Sequence, residues 1–328
     1  MVGEASPLVS PVVVRAQVSS PPFFMPCFHP LRGWRSRELT DDGKRRVVFT
    51  RSQGFSDMPV SLPCGQCVGC RLERSRQWAV RCVHEASLHE DNSFITLTYN
   101  NSHLPEDGSL KLRHWQLFMK RLRKAYSPQV VRFFHCGEYG KKFRRPHYHA
   151  CLFGIDFPDK RFHQMRNGRP LYVSKLLEET WGMGFASVGD VTFESAAYVA
   201  RYIMKKVTGD LAEGHYERVD PETGEITQLA PEYTTMSRRP GIGSEWFKKY
   251  SSDVFPDDFV VINGKKIKTP RFYDVEYEEQ DKEAFREIRR RRLIGARKHA
   301  HDQTPERLKV RERVQIERLN RLARDLED

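Results

Sequence analysis

The sequence predicts an α+β domain in which helices flank a central antiparallel sheet, followed by a charged helical C-terminal extension. Three observations support this prediction. Runs rich in β-branched and aromatic residues, which are typical of strands, mix irregularly with amphipathic helical patterns. Two neighbouring runs form a hairpin pattern, and a hairpin pairs its strands antiparallel. Near its C-terminus the chain has a charged helical pattern that contains the block IRRRRLIGARKHAH.

The composition favours a nucleic-acid-binding protein. The 328 residues allow one substantial domain with appendages, or two modest domains of roughly 150 residues each. No apolar run approaches the roughly 20 residues that a membrane-spanning helix needs. A net charge of +12 favours a polyanionic partner, because neutralising phosphates releases counterions. The basic residues are spread along the chain and interleaved with aromatics, so nucleic acid is favoured over an anionic membrane surface.

Changes in composition divide the chain into five predicted segments. Residues 1–24 contain several prolines and no secretory pattern, and we expect them to form a disordered leader. Met25 is an alternative start of the structured part. The remaining segments are a cysteine-containing segment at 25–70, a catalytic domain at 71–207, a turn-rich accessory region at 208–277 and a charged helical tail at 278–328. The tail fits either a solvated helix or a helix that grips DNA or a partner.

The predicted catalytic domain mixes helices and strands. In chain order we expect a basic helix, a strand, a second basic helix, two hairpin strands, a short helix, a strand and a final helix. Their predicted ranges are 71–89, 94–99, 113–126, 130–138, 146–154, 174–181, 185–192 and 195–207. Ser195 is the expected N-cap of the final helix.

The hairpin carries a candidate metal site. In the motif PHYHACLFG, His147 and His149 project from one face of a strand, about 7 Å apart. One ion can bind both only if a neighbouring strand adds a third ligand, and Glu138 ends the partner strand. His135, three residues before Glu138, is expected to face the opposite side and to be structural. The ligand types suit Mg²⁺, and they also permit Mn²⁺ or Zn²⁺.

The loop between the two hairpin strands is strongly basic. We expect its side chains to hold the backbone phosphates of a substrate strand, although an ordinary solvated turn would have the same composition. The candidates are Lys141, Lys142, Arg144 and Arg145.

The final helix carries two tyrosines one turn apart. Helical spacing puts its apolar residues on one core-facing stripe and leaves Tyr198 and Tyr202 roughly opposite, with Lys205 beside them and Arg201 flanking. One interpretation is packing against a second layer of the protein; the other is a nucleophilic role. A phenol has a pKa near 10, so attack at neutral pH needs a metal-polarised phosphate and nearby positive charge. Lys205, with Arg201 or Lys206, is the expected source of that charge.

Seven cysteines, three of them within seven residues, indicate metal ligands or reduced thiols and not a disulfide framework. The spacing of Cys64, Cys67 and Cys70 suits one tetrahedral ion, with Cys27 as the fourth ligand. We expect structural zinc. An iron–sulfur cluster and free thiols remain alternatives, and Cys82 is expected to belong to the core.

The ordered motifs FITLTY, GEYG with RPHYH, and YVARYIMKK resemble the motif series of the HUH endonuclease superfamily. More closely, they resemble the replication initiators of gokushovirus-type phages, and the cysteine motif PCGQCVGCR is similar to that family too. The resemblance covers Cys27 to Lys206. It implies an HUH-like fold with FITLTY as a central strand, His147, His149 and Glu138 as ligands of Mg²⁺ or Mn²⁺, and Tyr198 and Tyr202 as alternating nucleophiles. Where phage relatives often have lysine between the tyrosines, this chain has Arg201, so a proton-transfer role would move to Lys205.

The resemblance also implies a reaction and its partners. One tyrosine would nick single-stranded DNA at an origin, form a 5′-phosphotyrosine link and free a 3′-hydroxyl, and the second tyrosine would help to rejoin the strand after one round. The implied partners are single-stranded and replicative-form phage DNA with a host helicase and polymerase, in the host cytoplasm. The alternatives are a non-enzymatic, zinc-stapled DNA-binding protein, or an HUH relaxase or transposase.

Overall fold

The structure is a computed structural model that describes residues 27–41, 43–140, 143–166, 168–205, 212–219 and 224–321. Only the backbone is described for residues 202–205, 212, 213 and 219. The predicted leader at 1–24 and the candidate DNA-binding residues Lys141, Lys142 and Lys206 lie outside the described residues. None of the described helices is long and apolar enough to span a membrane.

The segment predicted to hold a zinc site contains a small sheet. Its three strands are β1 (Leu31–Leu39), β2 (Arg45–Val48) and β3 (Gly54–Leu62), and they pair antiparallel in the order β2-β1-β3. A short 3-10 helix, Arg51–Gln53, precedes β3. The first long helix, α1, runs from Val68 to Ala86 and thus begins directly after Cys67.

The next part of the chain contains every element that the sequence predicts for the catalytic domain. Two short strands, β7 and β8, are additional. The elements are β4 (Asn92–Tyr99), α2 (Leu112–Ala125), β5 (Arg132–Tyr139), β6 (Pro146–Phe153), β7 (Arg161–Arg166), β8 (Arg169–Val173), α3 (Lys175–Trp181), β9 (Gly184–Gly189) and α4 (Phe193–Lys205).

The remainder of the chain is more ordered than its turn-rich composition suggests. Its elements are α5 (Ala212–His215), β10 (Glu217–Val219), β11 (Ile226–Gln228), β12 (Tyr233–Met236), α6 (Ser244–Val254), β13 (Phe259–Ile262), β14 (Lys265–Lys268), α7 (Arg271–Gln280), α8 (Lys282–Arg297) and α9 (Pro305–Arg321), with a 3-10 helix at Ala300–Gln303. The charged C-terminal extension is therefore helical, as predicted.

The central sheet confirms the predicted α+β class. Its seven strands lie in the order β12-β5-β6-β4-β9-β8-β7, and each neighbouring pair is antiparallel. The strand predicted from FITLTY, β4, occupies the middle. The edge strand β12 comes from the predicted accessory region, so the sheet extends beyond the predicted boundary at residue 207.

Alternation along the strands separates two hydrophobic layers. Ile95, Leu97 and Tyr99 of β4 join the layer that contains Trp115 of α2 and Trp181 of α3. The residues between them face the other layer, where α1 and α4 cover the sheet. That second layer contains Ala79, Cys82, Phe134, Cys136, Cys151, Phe153, Ala196, Tyr198, Val199, Ala200 and Ile242. The predicted burial of Cys82 is confirmed.

His135 lies in the first layer, on the face opposite Glu138, as its spacing predicts. Its side chain is fully buried and its ring stacks on Trp115, with centroids 3.7 Å apart. Nδ1 pairs with the Thr235 hydroxyl at 2.9 Å. Burial, with the neighbouring charge of His149, lowers the pKa of His135 well below its usual value, so the ring is neutral.

The N-cap prediction for the tyrosine helix is wrong by three residues. Helix α4 begins at Phe193, and Thr192 is its cap: the Thr192 hydroxyl accepts the Ser195 N–H at 3.1 Å. The Ser195 hydroxyl reaches back and accepts the Thr192 N–H at 2.8 Å. Ser195 is therefore the second partner of a reciprocal cap, in the role that Glu or Gln usually fills.

A third hydrophobic cluster attaches the C-terminal elements to α1. It joins Val80 of α1 to residues of α6, the β13–β14 hairpin, α7 and α8, namely Phe247, Val254, Phe255, Val260, Ile262, Tyr273, Phe285 and Ile288. Arg292 of α8 adds ion pairs, donating from Nε to Asp258 at 2.7 Å and from Nη1 to Asp274 at 2.8 Å. The first tail helix thus buries one face and leaves arginines on the other.

His84, in α1, is the polar centre of this third cluster. It is 4% exposed, its ring stacks on Trp246 at 3.5 Å, and its Nδ1 accepts the Tyr273 hydroxyl at 2.9 Å. Burial lowers the pKa of His84 to about 3. Between that value and the usual value near 6.5, the unfolded chain binds a proton that the folded chain does not, so stability falls as the pH falls.

We therefore expect the free energy of unfolding to include a His84 contribution that drops by about 2 kcal/mol between pH 7 and pH 5. Urea denaturation of the wild type and His84→Gln at both pH values measures it. The variant should lose most of this pH dependence, whereas the exposed His163→Gln should keep it. Equal slopes for the wild type and His84→Gln would contradict the assignment.

Candidate functional site

A polar cluster lies on the α4-facing side of the central sheet, at one end of β4, β5 and β6. In the β5–β6 pair Glu138 lies directly opposite His147, as the hairpin predicts. In the β4–β6 pair Thr98 lies opposite His147 and Thr96 opposite His149. Residues opposite each other in an antiparallel pair share a face, so all five side chains project toward α4.

Glu138 joins the sheet to the tyrosine helix. Its Oε1 lies 2.7 Å from Nε2 of His149, and the Tyr198 hydroxyl donates to the same oxygen at 3.2 Å. The Tyr198 ring also stands edge-on to the His149 ring, with centroids 5.1 Å apart. All three side chains are at least 95% buried, with exposures of 5%, 5% and 2% for Glu138, His149 and Tyr198. Residues from β5, β6 and α4 therefore meet at one carboxylate oxygen.

His147 is oriented by its own strand. Its Nδ1 lies 2.7 Å from the Arg145 carbonyl oxygen, which can only accept, so Nδ1 carries the proton and Nε2 keeps its lone pair. Burial, and next the charge of His149, lowers the pKa of His147, which keeps the ring neutral near pH 7. The His147 and His149 rings are nearly parallel, with centroids 6.4 Å apart.

The donor set suits a divalent ion. Two imidazoles and one carboxylate leave coordination positions open for water or substrate oxygen. Ligand atoms about 2.1 Å from one ion lie about 3 Å apart, which is close to the 2.7 Å that separates Glu138 Oε1 from His149 Nε2. His147 stands farther away, so only two of the three predicted ligands are in contact.

Two residues of β4 complete the surroundings of His149, and the sequence analysis did not single them out. The Thr96 hydroxyl lies 2.9 Å from His149 Nδ1. The Phe94 ring is parallel to His149 at 6.0 Å and edge-on to Tyr198 at 6.3 Å. The alternation of FITLTY contained the signal, because it places Phe94, Thr96 and Thr98 on one face of a strand that was assigned only a scaffold role.

Tyr198 does not lie on an outward polar face, and that part of the prediction is wrong. Its side chain belongs to the same buried layer as Ala196, Val199 and Ala200. The reason is that α4 is covered twice, by the sheet on one side and by α1 on the other, where the Ser75 hydroxyl donates to the Ala197 carbonyl at 3.0 Å. The predicted flanking charge is present, with the Arg201 guanidinium 5.6 Å from the Tyr198 ring centre.

The other predicted residues of this helix are only partly described. Tyr202 and Lys205 belong to α4, one and two turns beyond Tyr198, but their side chains lie outside the described part of the chain. Their roles remain predictions.

The two described arginines of the basic loop bind protein acceptors. Arg144 Nη2 donates to the His215 carbonyl at 2.9 Å. Arg145 donates to the Tyr99 carbonyl at 3.2 Å and to the Asn101 side chain at 3.0 Å. These bonds tie the hairpin loop to neighbouring segments, and contact with phosphate remains a prediction for both residues.

The four predicted cysteine ligands come together. The sulfur atoms of Cys27, Cys64, Cys67 and Cys70 all lie within 4.8 Å of one another. Burial opposes ionisation of Cys64, but hydrogen bonds from the Cys67 and Gln66 backbone outweigh it and lower the Cys64 pKa to about 7. The cluster lies at the start of α1, away from the His149 site on β6.

Comparisons with known proteins point to one family. The model of the replication-associated protein ORF2 family matches residues 92–207, which contain β4, the hairpin and α4. The chain is 34% identical to replication-associated protein VP4 of Bdellovibrio phage phiMH2K, over 69% of this chain and 70% of the relative. It is 32% identical to replication-associated protein ORF2 of Spiroplasma virus 4, with the same coverage.

A third relative, replication-associated protein ORF4 of Chlamydia phage 1, is 31% identical over 71% of this chain and 59% of its own length. No solved structure matches the chain significantly.

Proposed function

Because this chain belongs to the microvirus-type family of phage replication-associated proteins, we propose that it starts rolling-circle replication by nicking single-stranded DNA through a tyrosine. One observation carries the proposal: the Tyr198 hydroxyl donates at 3.2 Å to Glu138, which is itself paired with His149 at 2.7 Å. A phenol held against a carboxylate–imidazole pair is positioned as a nucleophile beside a metal site.

The reaction is a transesterification. The Tyr198 oxygen attacks phosphorus, a Tyr–O–P bond forms, and the bond from phosphorus to the 3′ oxygen breaks. The phenol loses its proton, for which Glu138 is the nearest acceptor, and the 3′ oxygen gains one, for which Lys205 is the proposed donor. The products are a 5′-phosphotyrosine link and a free 3′-hydroxyl from which a host polymerase extends.

His147, His149 and Glu138 are the proposed holders of Mg²⁺ or Mn²⁺, which when bound supplies positive charge to the phosphate oxygens. The chain's own residues prepare the nucleophile. Arg201 carries a permanent charge 5.6 Å from the Tyr198 ring and favours the phenolate. The apolar surroundings of Tyr198 exclude water, which strengthens this attraction.

Tyr202 is the proposed second nucleophile, one helical turn beyond Tyr198. After one circle is copied, Tyr202 cleaves the regenerated origin, and the released 3′-hydroxyl attacks the first phosphotyrosine and closes the circle. Each step exchanges one phosphodiester for another, so no external energy source is needed. A host helicase would separate the strands in the host cytoplasm.

The proposed DNA path starts at the basic loop and α4. Its residues are Lys141, Lys142, Arg144, Arg145, Arg201 and Lys206. A second basic surface lies at the other end of β5, where an open groove of about 450 Å³ is lined in part by Arg123, Arg132, Arg238 and Arg239. Six residues of strand separate Arg132 from Glu138, a distance of about 20 Å. A single strand that enters the site can therefore continue along this face.

The nicking proposal predicts a covalent adduct. Purified full-length protein mixed with single-stranded fragments of the circular genome that encodes it should form a protein–DNA adduct with Mg²⁺ or Mn²⁺, visible as a band that survives denaturing electrophoresis. Tyr198→Phe should reduce the initial rate at least about 100-fold, because it removes the attacking oxygen. Tyr202→Phe should cleave but fail to rejoin.

The matched control is Tyr250→Phe, on α6 and outside the site, which should behave as the wild type. An adduct that persists in the Tyr198→Phe, Tyr202→Phe double variant would overturn the tyrosine mechanism. DNA binding without any cleavage under all these conditions would favour the non-enzymatic DNA-binding alternative.

The Thr96 contact predicts a change in metal affinity. Thr96→Val keeps the β-branched shape but removes the hydroxyl that orients His149, and loss of such an orienting bond typically costs about 10- to 100-fold in affinity. Titration calorimetry with Mn²⁺ measures it. The control is Thr98→Val on the same face of β4, which should bind Mn²⁺ nearly as the wild type does. Equal losses in the two variants would show that Thr96 has no orienting role.

A further inference from the structure

The N-terminal sheet lacks a hydrophobic core of its own. Among the described residues, no side chain of β1, β2 or β3 belongs to any of the three hydrophobic clusters. Several of its apolar side chains are exposed, among them Leu39 at 59% and Phe49 at 58%. A small unit that buries so little apolar surface needs another source of stability, such as a metal ion.

The cysteine cluster lies where such a source is needed. Cys27 precedes β1, Cys64 and Cys67 follow β3, and Cys70 is in the first turn of α1. Four sulfurs around one tetrahedral ion at about 2.3 Å lie about 3.8 Å apart. The observed separations, all within 4.8 Å, match a single ion, whereas a cluster of several iron atoms would hold the sulfurs farther apart.

The backbone around the sulfurs is arranged for anionic acceptors. The N–H of Cys64 donates to Cys27 Sγ at 3.2 Å, that of Phe28 to Cys67 Sγ at 3.3 Å, and that of Cys67 to Cys64 Sγ at 3.3 Å. Gly65, with φ of +75°, makes the turn that aims the Cys67 N–H back at Cys64. Thiolates accept such bonds better than thiols do, and metal ligation requires thiolates.

The C-terminal helix rests on the same segment. Both carboxylate oxygens of Glu312, on α9, lie within 2.9 Å of Nε2 of His29, two residues after Cys27. A pocket of about 350 Å³ between Phe28 and α9 is lined by Val310, Val314 and the stems of arginines. Helix α9 also contacts α1. The position of α9 therefore depends on the position of the residues next to Cys27.

From these observations we propose that Cys27, Cys64, Cys67 and Cys70 bind one structural zinc ion that fastens both the N-terminal sheet and α9 to α1. Four thiolates leave no open coordination position, so the ion takes no part in chemistry. Its binding energy replaces the missing core, and its loss frees two segments that are far apart in sequence. The proposal is independent of the nicking reaction.

The first test is the metal content of the full-length protein. Purified with zinc supplied and without chelator, the wild type should hold one zinc per chain by elemental analysis beyond any weakly bound ion removed by dialysis. Cys27→Ser with Cys64→Ser should hold less than about a tenth of that amount, because two ligands are lost. The control Cys82→Ala removes a buried cysteine outside the cluster and should keep its zinc.

The second test follows hydrogen exchange by mass spectrometry. Zinc removal, or the double serine variant, should increase exchange by at least about tenfold in residues 31–62 and 305–321 together. Residues 92–153 of the central sheet should stay protected, which would show that the fold survives. Glu312→Gln should loosen only α9 and keep its zinc.

Three results would overturn the proposal. The first is a wild-type protein that contains no zinc, with all four cluster thiols reactive under native conditions. The second is iron with its visible absorption in place of zinc. The third is loss of zinc that leaves exchange in both 31–62 and 305–321 unchanged.

Discussion

The register of the β5–β6 pair determines what the site can be. Because Glu138 lies opposite His147, and because strand side chains alternate, one carboxylate and two imidazoles share the face that α4 covers. A slip of one residue would send both histidines into the layer of Trp115 and bring Tyr148 to the helix. The hairpin loop is tied down by Arg144 and Arg145, which resists such a slip.

Much of this arrangement could be predicted from the sequence because it depends on short-range periodicity. Alternation in PHYHACLFG and the spacing of YVARYIMKK suffice to place His147, His149 and Tyr198 on elements of known type. The small sheet at 31–62 and the edge strand β12 were not predicted, since charged and polar side chains line both, and their pairing is decided by tertiary contacts.

The orientation of Tyr198 shows the limit of the same reasoning. A single apolar stripe predicts one buried face, but α4 has neighbours on two sides, and no local pattern reveals the second neighbour. The contact of Thr96 with His149 was missed for a related reason. It joins residues 53 positions apart, and it requires knowledge of which strand lies next to which.

The double coverage of α4 also constrains how two tyrosines can take turns. The reciprocal Thr192–Ser195 cap holds the start of the helix, and the Ser75 hydroxyl holds it to α1, so the helix has little freedom to rotate about its axis. One helical turn advances about 5.4 Å, comparable to the spacing of successive phosphates on a strand. The exchange of nucleophiles is then a matter of DNA translation past a stationary pair, and the protein acts as a ratchet post and not as a lever.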